Sequence, residues 1–361
     1  MSSLPLAGLR VVDLSRVLAG PYAAQILGDL GADVLKIEHP HGDDTRRWGP
    51  PQHDGAAAYY LAANRNKRSR VLDFTRPDDH AALRSLIAGA DVLIENFKPG
   101  DLARHHLDFP ALQPHHPRLV YCSITGFGHT GPLAPRAGYD ALIQAMAGLM
   151  SVTGPDPDHP TKVGVAVADL STGLYAVIAI LAALRERDRS GRGQHVDVSM
   201  LDVQISLLNY MATMHLMSGI VPGRMGNGHF VHVPYNAFAT ADGHVIVACI
   251  GDAFFVAFAQ MLGRPELLEE KYRQQPARYA DKDVIERIVG EEMVRHDTAH
   301  WLARLRAARI PCGPVNDFAQ ALSDPQVRAR DMVIDVPLPG GGSVPQPGNP
   351  VKLSAAKPYR P

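Results

Sequence analysis

The chain has 361 residues, which at ~100–200 residues per domain predicts about two domains and a substantial buried core. Lys and Arg number 36 against 37 Asp and Glu, a formal net charge of −1. That balance offers no global footprint for nucleic acid or an anionic membrane, so any anionic ligand must be met by a local cluster. The three cysteines, Cys122, Cys249 and Cys312, are scattered and form no C-x-x-C pair. They argue against a disulfide framework or zinc ribbon and for a reducing, cytoplasmic compartment. The longest uninterrupted apolar run, Leu174 to Leu184, falls short of the ~20 residues of a membrane span. Met1-Ser2-Ser3-Leu4-Pro5 shows no basic region leading into an apolar one, so the expectation is an untargeted chain without a membrane segment.

Strand and helix signals alternate through the first hundred residues. Leu9 to Leu14 is a short β-branched run, Pro21 to Leu30 has helix-forming composition, and Gly31 stops it. Asp33 to Glu38, Ser69 to Asp73 and Asp91 to Glu95 read as further strands, with a helix over His80 to Ala88. Leu119 to Ile124 is a fifth strand and runs into the loop Gly126 to Pro132. Strands separated by helices imply a parallel, doubly wound sheet. Leu170 to Arg187 is the longest helix candidate, apolar nearly all round, closed by Gly191 and Gly193. Gln194 to Met200 alternates with period two, the pattern of an antiparallel-type or edge strand. A second region begins near residue 225, where Tyr235 to Thr240 and His244 to Ile250 flank the hairpin signal Asp242-Gly243. Helical stretches follow from about 253 to 306, and Pro311, Gly313 and Pro314 mark a return linker. Gly340-Gly341-Gly342 sits in another expected hairpin.

Several motifs fail on their chemistry. The first strand is followed by Ser15-Arg16-Val17-Leu18-Ala19-Gly20-Pro21 and not by G-x-G-x-x-G, so a dinucleotide site is not expected, although Glu38 closes the second strand where a ribose-binding acid would sit. Gly126 to Gly131 is glycine-rich but lacks the Lys-Ser/Thr pair of a P-loop. His296 and His300 stand at i and i+4, but Asp297 replaces the usual glutamate and no third ligand is evident, so no metal site is expected. The cluster Arg65, Lys67, Arg68, Arg70 reads equally as a solvated loop or as a phosphate clamp.

Asp169 is the most informative position. It ends the apolar stretch Val163 to Ala168 and immediately precedes the long buried helix. As an N-cap it would stabilise that helix by ~1 kcal/mol. Ser171 and Thr172 could serve as caps instead, leaving a partly desolvated carboxylate whose charged form is favoured by helix-start N–H groups. With an unperturbed pKa of ~3.9 it would then be ionised at neutral pH and available as a nucleophile without a base.

Val11-Val12-Asp13-Leu14 with Ala19-Gly20-Pro21, Lys36-Ile37-Glu38, Asn66-Lys67-Arg68-Ser69 with Leu72-Asp73, Glu95-Asn96-Phe97, Gly126-Phe127-Gly128, Asp169-Leu170-Ser171-Thr172-Gly173, and Gly191 to Met200 occur together in this order and spacing. In that combination the chain resembles the class III CoA-transferases of the CaiB/BaiF family over nearly its whole length. The resemblance implies an α/β fold: a Rossmann-like, parallel-sheet, CoA-binding large domain over residues 1–200, completed by 326–361, then a linker helix at 201–224 and a smaller α+β domain at 225–325. It also implies an obligate, interlocked homodimer. The implied chemistry is CoA transfer from an acyl-CoA to a small carboxylic acid through an anhydride and a thioester on Asp169, with coenzyme A thioesters as substrates and no resident cofactor. By matching position, Arg16, Leu18 and Ala19 would line the CoA entry, and Leu72 and Thr75 the nucleotide end. Asn96, Phe97, Lys98 and Arg104 would hold pantetheine and phosphates, and Tyr139 and Asp140 would border the acyl group. The chain departs from relatives at His39, where an arginine can contact the nucleotide, and at Ala137, where oxalate-using members can carry a lysine. The runner-up is an α-methylacyl-CoA racemase, disfavoured because Tyr139 stands where such enzymes carry a histidine, and a phenol near pKa ~10 shuttles protons poorly. A non-catalytic CoA-binding scaffold is the alternative of another class. Resemblance in the 233–243 hairpin points to small dicarboxylates and a succinyl-CoA donor, with Arg224 or the His229/His232 pair meeting a distal carboxylate.

Overall fold

The computed structural model describes residues 4–356. Short runs of β-branched residues form strands with side chains on alternate faces, and helices cover both faces. Val11 of β1 (Arg10–Asp13) packs with Ala23, Leu27, Ala176 and Ile180 on one side of the sheet. Its neighbour Val12 packs with Leu83, Ile87 and Leu93 on the other. The remaining strands are β2 (Asp33–Glu38), β3 (Lys67–Val71), β4 (Val92–Glu95), β5 (Val120–Thr125) and β6 (His195–Ser199). They form one sheet of order β3-β2-β1-β4-β5-β6, parallel throughout. The order reverses direction between β1 and β4, so the loops leaving their carboxyl ends diverge and open a crevice.

The predicted alternation is present, with shifts at the ends of elements. Helix α1 spans Ala19–Asp29, α2 Pro77–Ala88, α3 Asp140–Met146 and α4 Val167–Ser190. Strand β3 begins two residues before the predicted start, which draws Lys67 and Arg68 out of the loop and into the sheet. The 194–200 segment is an edge strand, as period two suggested, but it pairs parallel to β5. Val196 and Val198 are buried and Asp197 faces solvent, and an edge strand of either direction gives that alternation. Residues 201–224, read as one linker helix, instead contain two helices, α5 (Met200–Leu207) and α6 (Asn209–Ser218), broken where Asn209 takes a positive φ of 42°. Helix α4 is long and apolar enough to cross a membrane by length and composition, yet it packs against α1 and α5 as a core helix.

Carboxylates occupy the basic cluster that the sequence offered as a phosphate clamp. Arg65 donates from Nε and Nη2 to the two oxygens of Asp29 at 3.0 and 2.7 Å, with both side chains buried. Lys67 Nζ donates to Asp13, to the Pro21 carbonyl and to Asn64 at 3.0, 2.8 and 2.9 Å. Arg68 forks onto Asp33 at the surface. These cations knit α1, β1 and β3 together, and only Arg70 is without a carboxylate among the described residues.

The chain divides into two units by contact. One holds residues up to Met150, Lys162–Val221 and from Pro325 on; the other holds Ser151–Thr161 and Pro222–Asp324. In the first, the predicted C-terminal hairpin forms from Val333–Pro337 and Ser343–Pro347, with Gly341 and Gly342 at positive φ in its turn. Arg65 reaches it, donating to the Pro347 carbonyl at 2.8 Å. In the second unit, Tyr235–Ala239 and His244–Ala248 pair antiparallel around Asp242-Gly243 as expected, and Cys312–Pro314 adds a third strand. Phe255, Phe258, Ile285, Val289 and Trp301 fill the core beneath that sheet. Replacing Asp29 with alanine leaves the Arg65 guanidinium buried without its bidentate partner, with an expected loss of about 3–5 kcal/mol. Urea denaturation of Asp29→Ala beside the parent checks it.

Candidate active site

A cleft of about 250 Å³ opens at the carboxyl ends of the central strands. Arg16 to Ala19 enter it from the end of β1, Asn96 to Pro99 from β4, Ile124 to Gly126 from β5, and Met200 follows β6. Asp169, in the first turn of α4, and the segment Arg136 to Tyr139 complete the lining. This is the crevice created by the reversal of strand order.

The local fold places Asp169 in a way the sequence did not anticipate. It is not the cap of α4: the cap residue is Ala166, and no side chain of the helix's own start caps it. Asp140, at the first residue of α3, supplies the cap from another element, its Oδ1 accepting the N–H groups of Ala168 at 2.8 Å and of Asp169 at 3.3 Å. Gln144 Nε2 donates to the other oxygen of Asp140 at 2.6 Å. Ser171 and Thr172 are likewise not caps, since their hydroxyls donate back to the carbonyls of Val167 and Ala168, both at 2.6 Å. The helix-start donors expected to favour an ionised Asp169 are therefore spent on Asp140. Burial first, and then the like charge of Asp140, push the Asp169 carboxyl up to about 7. The expectation of a carboxylate fully ionised at neutral pH is thus corrected to a group that titrates there.

Two close approaches set the walls. A Cβ on Gly173, one turn beyond Asp169 on the same helix face, would lie 2.7 Å from the Ala19 carbonyl, so α4 reaches α1 only because residue 173 has no side chain. At the other wall Gly126 and Gly138 touch backbone to backbone, each leaving about 2.5–2.6 Å to the other's Cα where a Cβ would stand. That contact ties Tyr139 and Asp140 to the end of β5.

Of the residues singled out in the sequence, Arg16, Leu18, Ala19, Asn96, Phe97, Lys98, Tyr139 and Asp169 line this cleft. Leu72 lines an adjoining notch of about 80 Å³ with Phe74, His39, Arg16 and Phe97. The Arg16 guanidinium stands 5.4 Å from the Phe97 ring between the two hollows. Asn96, expected to bind ligand, spends its amide on the protein: Oδ1 accepts the Arg16 N–H at 2.8 Å and Nδ2 donates to the Arg16 carbonyl at 2.7 Å. Asp140 is turned to α4 as described, while Tyr139 is 73% exposed. Thr75 and Arg104 line neither hollow. Thr75 donates to Asp73 at 2.6 Å in the turn after β3, and Arg104 stands 3.6 Å from Asp101 on an exposed turn. In the second unit, Arg224 Nε donates to the Asp156 carbonyl at 2.7 Å, and His229 Nδ1 accepts the N–H groups of Val231 and His232. His296 and His300 stack at 4.1 Å, and among the described residues no group of three or more His, Cys, Asp or Glu is placed to hold a metal.

Sequence reading missed three neighbours of Asp169. Arg136 is an exposed cation on the cleft wall. Tyr59, packed edge-on against Trp48 at 5.2 Å, has its hydroxyl pushed up by burial and by the charges of Asp169, Asp140 and Asp43. Val17 lines the cleft at a positive φ of 70°. None of the three carries a local signal, because each reaches the site by tertiary placement alone.

Comparison with known proteins agrees with this geometry. The model of CoA-transferase family III matches residues 6–361. The chain is 45% identical over 97% of its length to the succinate–glutarate CoA-transferase of Agrobacterium fabrum, covering 90% of that protein. It is 40% identical to the succinyl-CoA:glutarate CoA-transferase of Mus musculus, covering 99% of this chain and 84% of that one. The crystal structure of a CaiB/BaiF family protein from Brucella suis superposes with a TM-score of 0.90 at 46% identity, over 99% of this chain and 94% of that one. The chain belongs to CoA-transferase family III and is an enzyme that transfers coenzyme A.

The raised carboxyl of Asp169 has consequences of opposite sign for stability and turnover. The folded chain holds the proton more tightly than the unfolded one, so ionising Asp169 costs stability as pH rises from about 4 to about 7. Asp169→Asn is expected to be about 1–3 kcal/mol more stable than the parent at pH 8 and to converge with it near pH 4, as read by thermal melts across pH. In the parent, kcat/KM is expected to rise with pH through about 7, and Asp140→Asn moves that acid limb to lower pH. Gly173→Ala is expected to cost about 1–3 kcal/mol through overpacking against α1 and to lower turnover with it, measured by melting and initial rates.

Proposed function

We propose that this enzyme moves CoA from a small dicarboxylic acyl-CoA, succinyl-CoA in the first instance, to a dicarboxylate acceptor such as glutarate. The observation that carries the reading is the placement of Asp169, a half-buried carboxyl in the crevice at the carboxyl ends of β1 and β4. The substrate pair follows the relatives named above. The ionised Asp169 Oδ attacks the thioester carbonyl of the donor, the C–S bond breaks, and CoA leaves as thiolate from a mixed anhydride. The thiolate attacks the aspartyl carbonyl, forming an enzyme-bound aspartyl-CoA thioester and releasing the donor acid. The acceptor carboxylate attacks that thioester, giving a second anhydride and thiolate. Attack of the thiolate on the acceptor's carbonyl yields the new acyl-CoA and returns Asp169. Each step exchanges one acyl bond for another, so no nucleotide is spent.

In this reading Arg16 and Lys98 meet the CoA phosphates, and Leu72, Phe74 and His39 line the nucleotide end. The exposed face of Arg136 and Tyr139 receives the acyl group. Arg65, Lys67 and Arg68 are withdrawn from phosphate binding because their charges are matched within the fold. The enzyme works in this proposal as a cytoplasmic homodimer. Its support is the run of apolar side chains left open on the first unit. Leu174, Ile178 and Leu181 share a face of α4, and Leu216 and Met217 are each 83% exposed past the middle of α6. A second copy of the chain is the occupant that fits.

Incubation with succinyl-CoA in hydroxylamine, then mass spectrometry of the peptide holding residue 169, is expected to show a hydroxamate at Asp169. Asp169→Ala is expected to bind CoA as the parent does and to lose turnover by at least ~10³-fold. Absence of the hydroxamate with any of a panel of acyl-CoA donors, together with exchange of the α-proton into solvent, overturns transfer in favour of racemisation.

A further inference from the structure

The turn between β1 and α1 meets the cleft with a strained residue. Val17 has φ of 70°, a conformation in which a β-branched side chain crowds its own backbone, and glycine or asparagine would sit there with less strain. Residues held this way persist only where their surroundings over-determine them. Two clamps do so here. Asp43, from the loop after β2, accepts the Val17 N–H at 3.3 Å. Its side chain is 1% exposed and lies 3.1 Å from Lys36 Nζ, itself 1% exposed. Lys36 also donates to the Ser15 carbonyl at 2.8 Å, gripping the turn and its clamp together. The other oxygen of Asp43 accepts from Thr45 N and Oγ1 at 3.0 and 2.7 Å, which fixes the carboxylate's orientation. On the opposite side Asn96 brackets the peptide groups of Arg16 with two bonds.

We infer that Asp43 and Asn96 are positioning residues for CoA transfer, holding Val17 in its left-handed conformation so that the Arg16–Ala19 turn is preset in the cleft that contains Asp169. Neither acts on the reacting atoms. Asp43 and Lys36 form the buried floor of the adjoining notch, and both polar ends of Asn96 are engaged on Arg16. The strain is stored beside the reacting group, and a preset turn spares the substrate the cost of ordering it. The inference rests on the transferase reading above.

The test crosses each clamp with the strained residue. Asp43→Asn retains the shape and the Thr45 bonds, and is expected to lower kcat/KM for succinyl-CoA with glutarate by tenfold or more. Val17→Gly adopts positive φ without help, so it is expected to melt no lower than the parent, and its own kcat/KM is the reference against which each cross is read. In the double variant D43N/V17G the activity is expected to return to within about threefold of V17G alone. Asn96→Ala, crossed with V17G, is read by the same criterion and decides the matter if D43N does not fold. A loss that persists undiminished in both double variants relative to V17G, or Asp43→Asn and Asn96→Ala each within twofold of the parent, overturns the inference, because a merely structural role gives no rescue. The parent enzyme run in parallel separates the two failures: no CoA transfer by the parent overturns the functional reading, whereas transfer without rescue overturns only the role of the clamps.

Discussion

The site turns on which group receives the free N–H donors at the start of α4. A helix of this length presents donors at its first turn, and they stabilise whichever anion accepts them. Here the acceptor is Asp140, on a different helix, and Asp169 is left inside the same turn with burial and a like charge for company. Asp140 is engaged on the helix start while the Asp169 carboxyl is raised to about 7, so two acids joined through one helix turn stand in different environments. Had the donors gone to Asp169, its charge would be better stabilised and its oxygen a weaker nucleophile.

The frame around this pair is held by charge as much as by apolar contact. Lys67 and Lys36 lie against Asp13 and Asp43 beneath the β1–α1 turn, and Arg65 lies against Asp29 behind it. Burial alone would raise the Asp13 carboxyl, but the two lysines hold it below its ordinary range, and burial lowers Lys67 to about 8. Such pairs add little net stability over apolar packing but strongly penalise any arrangement that separates them. They therefore specify where the turn sits.

Much of this was legible in the amino-acid order. The alternation of β-branched runs with helical stretches pointed to the parallel sheet, Asp242-Gly243 and the Gly340–Gly342 run marked two hairpins, and the motif around Asp169 singled out a carboxyl that the fold places in the cleft. What the order did not carry was partnership across space. Asp140 as the cap of α4, Asp29 as the partner of Arg65, and Asn96 as a clamp on Arg16 join residues 28, 36 and 80 positions apart or more, and no local pattern distinguishes such a group from one that meets ligand. The parallel direction of β6 was hidden for a related reason, since an edge strand shows the same period two whichever way it runs.

The C-terminal hairpin gives the fold a temporal consequence. Arg65 is completed by the carbonyl of Pro347, and Asp29 by Asn349, contacts that close chain separations of 282 and 320 residues. Contacts of that order are formed late, because the loop they close must first be ordered at entropic cost. On the ribosome the sheet that carries the cleft is made early, but the buried Arg65 guanidinium waits for residues 347–349 to emerge. The first unit is thus sealed only after the chain of the second has been made.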